Sequence, residues 1–176
     1  NLEPERGKWS FQTLDKYVAL AERAGIELVL PLGLSPTWAS ARPGEPSGYG
    51  PATAAEPQDI EDWRNYIRTV AQRYQGRIRA YDLWNEVNVK GFYSGSQEKL
   101  VELAGVAYQT WKEVDPNIVF ISPSVVGEGH HRWRDEYLPT GGAKYLAVVG
   151  VLFYVRKAPH VALVPCFTPY HAGIAK

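Results

Sequence analysis

The chain has 176 residues, with nineteen Lys and Arg against nineteen Asp and Glu, a net charge of 0 at pH 7. With no long-range positive field to hold phosphates or anionic headgroups, no nucleic acid and no membrane is expected as a partner; the longest apolar runs, such as residues 146–155, fall short of the roughly 20 residues a spanning helix needs. A single cysteine, Cys166, excludes an internal disulfide framework and a Cys-based metal cluster, and no metal or other cofactor is expected.

The length suits one domain or a portion of a larger one. Residues 1–6 lack a charged start followed by an apolar core, so no signal peptide is read there. The compartment stays open, and a secreted or periplasmic protein whose signal has been removed fits.

From Phe11 on, Leu14, Tyr17, Val18, Ala21 and Ala24 share one helical face, with Ser10 as N-cap and Gly25 as the stop. Residues 26–32, apolar and bounded by Gly25 and Gly33, predict a strand buried on both faces. Pro36, Pro43, Pro46 and Pro51 bar any regular element from running through residues 33–56. A loop of this length is often functional, and it carries Trp38, Arg42 and Tyr49; the alternative is a solvated ornament.

Pro57 opens a second helix whose face is Ile60, Trp63, Ile67, Val70, Ala71 and Tyr74, ended by Gly76. A strand over 78–84 follows, then a helix over about 97–114 buried through Leu100, Leu103, Ala104, Ala107, Tyr108 and Trp111. After the turn Asp115-Pro116-Asn117 come a strand at 118–121, a short helix around 133–138 and a fourth strand at 148–155. Such alternation implies an α/β fold of parallel strands with right-handed crossovers, either a doubly wound sheet or a β/α barrel. No Gly-rich phosphate turn follows any strand, and Gly127-Glu128-Gly129 is only a fragment of one, which weakens the nucleotide-binding sheet.

Chemistry concentrates in Ala80-Tyr81-Asp82-Leu83-Trp84-Asn85-Glu86-Val87-Asn88, where a strand ends in a carboxylate preceded by an amide. Active sites of parallel α/β folds lie at the carboxyl ends of strands. A glutamate there, such as Glu86, can be desolvated by Trp84 and neighbouring strands, which would suit it to donating a proton, and Asn85 can hydrogen-bond a substrate hydroxyl. Glu86 also fits a turn cap or an Arg partner. Asp82 shares the parity of Glu86 and belongs to a polar inner layer of the sheet. The pair His130-His131 is unsuited to one metal ion, since adjacent residues of an extended chain point apart.

These residues resemble clan A glycoside hydrolases, whose parallel barrels carry an Asn-Glu pair after the fourth strand, and among them most closely family 39, the β-xylosidase group with its related exopolysaccharide-cleaving members. Four matches run in order. Residues 2–11 with Leu14-Asp15 resemble the segment after the second strand, and residues 25–32 with Ser35-Pro36-Thr37-Trp38-Ala39-Ser40 resemble the third strand and its loop. Trp84-Asn85-Glu86 with Phe92-Tyr93-Ser94-Gly95 resembles the fourth strand and its exit, and Asp115-Pro116-Asn117 with Ile121-Ser122-Pro123-Ser124 the fifth.

The resemblance implies a (β/α)8 TIM-barrel type fold, incomplete and covering about strands three to six, with residues 1–155 as the partial barrel and 156–176 as an atypical tail. It implies a retaining O-glycoside hydrolase acting on β-linked sugars, with Glu86 as general acid/base, Asn85 beside it, and carbohydrate as the substrate. Trp38, Trp84 and Tyr93 are candidate sugar platforms, each equally able to serve the core. The nucleophile expected after strand seven has no counterpart, because residues 156–176 contain neither Asp nor Glu. Glu128, after strand five, is the candidate second carboxylate within the chain, or else a solvated loop residue. Val87 stands where the family has Pro, and Leu152 where a His precedes Phe153-Tyr154. The competing reading is a catalytically inactive half-barrel that folds by self-association, as a homo-oligomer, a dimer, or with the missing half of the barrel.

Overall fold

The computed structural model of the chain describes residues 1–127, 130–145 and 147–152. Helix α1, Gln12–Ala24, ends at Gly25, whose left-handed φ of +65° turns its N–H back to the carbonyls of Ala21 and Glu22. Ser10 is not its cap: Phe11 holds that position without a side-chain bond, and the Ser10 hydroxyl turns to Gln12 Oε1 at 3.0 Å. Helix α2, Ile60–Arg73, is capped by Asp59, which accepts the Glu61 N–H, and α3, Gln97–Val114, by Ser96, which accepts that of Lys99. The predicted helix around 133–138 is α4, His130–Tyr137.

Between the helices run strands β1, Val29–Leu32, β2, Ala80–Leu83, and β3, Val119–Ile121, parallel and side by side in that order. A second parallel pair, β4, Val125–Val126, and β5, Val151–Leu152, is joined to the first by a parallel bridge between Ile121 and Val148. β4 had no sequence signal of its own; it resumes the direction of β3 after a break at residues 122–124. Of the strand predicted at 148–155, the described residues hold the bridge at Val148 and β5, while residues 153–155 lie outside the described residues. So do Glu128, Cys166, Phe153-Tyr154 and the whole tail 156–176.

Helices α2 and α3 cover one face of the sheet. Trp63 of α2 donates its indole N–H to the Leu103 carbonyl of α3 at 3.0 Å, and Trp111 of α3 packs on Tyr81 and Phe120 with ring centroids 5.1 Å apart in each pair. Because successive strand residues point to opposite faces, Tyr81 and Leu83 serve this helix-covered core while Asp82 faces the inner side.

One strand differs from expectation. The run 26–32 was expected to be buried on both faces, yet β1 is an edge strand, with Ile26 62% and Val29 44% exposed. Apolar composition reports a demand for cover, and among the described residues β2 is the one strand paired with β1. Pro31 shows how the edge is tolerated. The Leu32 carbonyl accepts the Trp84 N–H at 2.7 Å, so by the alternation of a parallel ladder Pro31 faces away from β2, where its missing N–H breaks no bond. Tyr17 and Ala24, assigned to the buried face of α1, are exposed: Val18 and Ala21 are buried and Leu14 packs half-buried against the core, while Tyr17 and Ala24 stay outside it.

Candidate active site

The carboxyl end of β2 holds the Asn-Glu pair in a tight turn. Trp84 has φ +67° and Glu86 φ +53°, both left-handed without being glycine, a conformation that costs on the order of 1–3 kcal/mol per residue and gathers at functional sites. The turn persists because both sides are tied to residues 124–126. The Ser124 N–H donates to the Trp84 carbonyl at 3.2 Å, and the Ser124 carbonyl accepts the Val87 N–H at 3.1 Å. Asn88 then exchanges two bonds with Val126, its amide donating to the carbonyl at 2.7 Å and its Oδ1 accepting the N–H at 2.9 Å. Glu86 is 8% exposed, so the residue as a whole is largely enclosed by protein. Asn85 beside it is half-buried.

Trp84 is 1% and Tyr93 4% exposed, and their rings meet edge to face with centroids 5.1 Å apart. The Trp84 indole N–H is used by the Phe92 carbonyl at 2.7 Å, and the Tyr93 hydroxyl donates to Ser96 O at 3.0 Å. Gly33 lies against the Trp84 ring so closely that a Cβ there would sit 2.7 Å from it. Both rings are therefore packed into the protein beneath the turn, with their polar ends satisfied. Trp38 is placed differently. It is half-buried on the loop after β1, donates its indole N–H to Glu3 O at 2.9 Å, carries the Arg6 guanidinium 4.7 Å over its ring, and lines a cleft of about 650 Å³. Trp63, Tyr66 and Glu3 line the same cleft, but Asn85 and Glu86 do not. The cleft follows Leu30 to Leu34 beside the open edge of β1, which makes it a groove of that edge. Glu128 lies outside the described residues.

The long loop is pinned rather than solvated. Arg42 binds Glu45, donates to both Glu56 carboxylate oxygens at 2.9 and 2.8 Å, and reaches Ser94 Oγ at 2.8 Å, fastening the loop to the exit of the Glu86 turn. Burial alone would raise the Glu56 carboxyl, but the Arg42 guanidinium overrides it and holds the group below its usual range.

Two residues beneath the turn, Asp82 and Ser124, are brought together only in three dimensions. Asp82, 8% exposed, accepts a 2.6 Å bond from the Ser124 hydroxyl on Oδ2, while its Oδ1 is enclosed with no hydrogen-bond partner. Desolvation pushes its carboxyl up to about 7, against the pull of the Ser124 hydrogen bonds. Parity in the strand announced the inward direction of Asp82; the role of Ser124 had no signal beyond its place in Ile121-Ser122-Pro123-Ser124. Among the described residues, no group of three or more His, Cys, Asp or Glu side chains is arranged to hold a metal ion, and no helix is long and apolar enough to cross a membrane.

Residues 3–147 match the family model of glycosyl hydrolases family 39. Among solved structures, a family 39 β-xylosidase from Caulobacter crescentus superposes with a TM-score of 0.68 at 20% identity over 85% of this chain and 35% of its own. A family 39 glycoside hydrolase from the gut symbiont Bacteroides cellulosilyticus gives 0.65 at 23% over 85% and 30%, and a family 10 enzyme from Paenibacillus barcinonensis 0.57 at 21% over 85% and 49%. The chain thus spans about a third of the length of the family 39 structures it matches. Its fold is an incomplete barrel of the (β/α)8 type.

Proposed function

Because the chain belongs to glycosyl hydrolase family 39, we propose that the turn after β2 is the acid/base half of a retaining β-glycosidase site. Glu86 gives its proton to the glycosidic oxygen as the bond from that oxygen to the anomeric carbon breaks and a second carboxylate takes the carbon. It then removes a proton from the water that releases the sugar. Asn85 hydrogen-bonds a sugar hydroxyl, and Trp38 is the aromatic residue still open enough to meet a ring. Trp84 and Tyr93 act as the bed of the turn. The second carboxylate is assigned to none of the described residues, and β-xylosides are the first substrates to try.

The observation that carries this reading is a glutamate 8% exposed, following an amide, in a strained turn at the carboxyl end of a parallel strand. An affinity reagent tests it without needing the second carboxylate. N-bromoacetyl β-xylosylamine should alkylate Glu86, read by peptide mass spectrometry, and excess methyl β-xyloside should protect it. Absence of modification at saturating reagent, or modification indifferent to the competing sugar, sinks the reading. Any turnover of an aryl β-xyloside should vanish in Glu86→Gln.

A second reading is favoured by the bare edge of β1: the chain pairs with a second copy there, burying Ile26, Val29, Tyr17 and Leu20. Sedimentation at micromolar concentration should then show a dimer, and a stable monomer counts against it.

A further inference from the structure

Four hydrogen bonds from residues 124–126 brace the turn that carries Glu86, and the first of those residues is itself gripped from below. The Ser124 hydroxyl has two acceptors within reach, Asp82 Oδ2 at 2.6 Å and the Trp84 carbonyl at 3.4 Å. That carbonyl is also the acceptor of the Ser124 N–H, one of the bonds that shapes the turn. By drawing the hydroxyl to itself, the Asp82 carboxylate fixes the Ser124 side chain and leaves the Trp84 carbonyl to the backbone. The cost is visible in Asp82 Oδ1, a buried carboxylate oxygen with no hydrogen-bond partner, which a packing role alone does not call for.

Resting on the acid/base reading of Glu86, we propose that Asp82 and Ser124 form a positioning pair that sets the orientation of the Glu86 carboxyl for proton transfer. Neither residue needs to touch the sugar. The chain of contact runs from carboxylate to hydroxyl, from Ser124 backbone to the carbonyl before Asn85 and the N–H after Glu86, and so to both flanks of the acid. The pair behaves as a unit, because each member acts only through the other.

The test reads Glu86 itself. In protein labelled with 13C at the glutamate carboxyls, the Glu86 resonance is identified by its loss in Glu86→Gln. Asp82→Asn and Ser124→Ala should each move that resonance while leaving Glu3 in place, and the double variant should move it no further than the larger single effect. Ser124→Ala keeps every backbone bond of the turn, so it reports even where Asp82→Asn folds poorly. An unmoved Glu86 signal in folded Ser124→Ala overturns the proposal, as do additive shifts. With N-bromoacetyl β-xylosylamine, both variants should slow alkylation at saturation roughly tenfold to a hundredfold and change the half-saturating concentration less than about twofold. Equal rates in variant and parent overturn the proposal. Moved resonances in a parent that the sugar reagent never alkylates would instead retain the positioning pair and remove the glycosidase reading.

Discussion

The two ends of this sheet solve the same problem with unequal means. At the β2–β3 end β2 lies between two strands and β3 gains a bridge to Val148, and the turn bearing Glu86 is tied by bonds from Ser124 and Val126. At the α1–β1 end the strand has one neighbour among the described residues, and α1 is held by a short buried face, Val18 and Ala21, supplemented by exposed ion pairs, Arg73 with Asp15 and Arg77 with Glu22. Exposed pairs contribute little each, whereas buried bonds enforce one geometry because leaving them unmade is costly. Of the left-handed non-glycine residues, Trp84 and Glu86 lie in the tied turn, while Leu34 and Ala52 lie in the loop after β1.

The largest expected effect belongs to the over-determined end. Trp84→Ala removes the ring that fills the space between Gly33, Trp63 and Tyr93, and should cost about 3–5 kcal/mol, read from urea denaturation. A loss below about 1 kcal/mol would show that the turn does not depend on its bed.

Next comes the titration of Asp82. Its folded carboxyl is raised to about 7 from 3.8, so the folded state binds this proton more tightly than the unfolded chain. Its contribution is fully present below the unfolded value and is lost as pH rises through about 7. The unfolding free energy of the parent minus that of Asp82→Asn should therefore fall by about 4 kcal/mol between pH 4 and pH 8, and level off above. Taking the difference removes the opposite slope of carboxylates such as Asp15 and Glu22, whose arginine partners hold them low. A flat difference would mean that Asp82 stays ionised throughout.

A smaller effect is expected where the loop after β1 meets the turn. Arg42→Ala unpairs Glu56 and frees Ser94, and with the guanidinium 38% exposed it should cost about 1 kcal/mol of global stability. Its stronger signature is local: limited proteolysis within residues 33–59 should accelerate while Glu86 alkylation changes little. Cleavage unchanged from the parent would return the loop to the status of ornament.

The contrast between the two ends also explains what could be read in advance. Residues 97–114 form α3 within the bounds their periodicity predicts, and the Asn85-Glu86 pair sits at a strand end, because helical spacing and strand termination are written locally. The exposure of Val29 was illegible, since an apolar run states a need for a neighbour without saying whether one is present. The burial of Trp84 and Tyr93 was hidden for another reason: a left-handed residue at Trp84 sends its ring beneath the turn, and no residue pattern announces a positive φ at tryptophan. Asp82 fell between, its direction given by parity and its unpartnered oxygen visible only once Ser124 was in place.

The smallest effect on stability should accompany the clearest effect on assembly. Val29 is 44% exposed, and its backbone groups face outward with those of Pro31, so Val29→Lys places a charge where no partner within the chain is disturbed. The unfolding free energy of the dilute protein should change by less than about 0.5 kcal/mol, because nothing buried is lost. If the edge pairs with a second copy, the same substitution should convert a sedimenting dimer to monomer, and raising the salt should not restore it, since the lost contact is apolar as well as strand-to-strand. Measuring both at several protein concentrations separates the two quantities, because stability drawn from association rises with concentration and stability of the lone chain does not. A dimer that survives Val29→Lys places the contact elsewhere, and a destabilised monomer shows that β1 is less of an edge than its exposure implies.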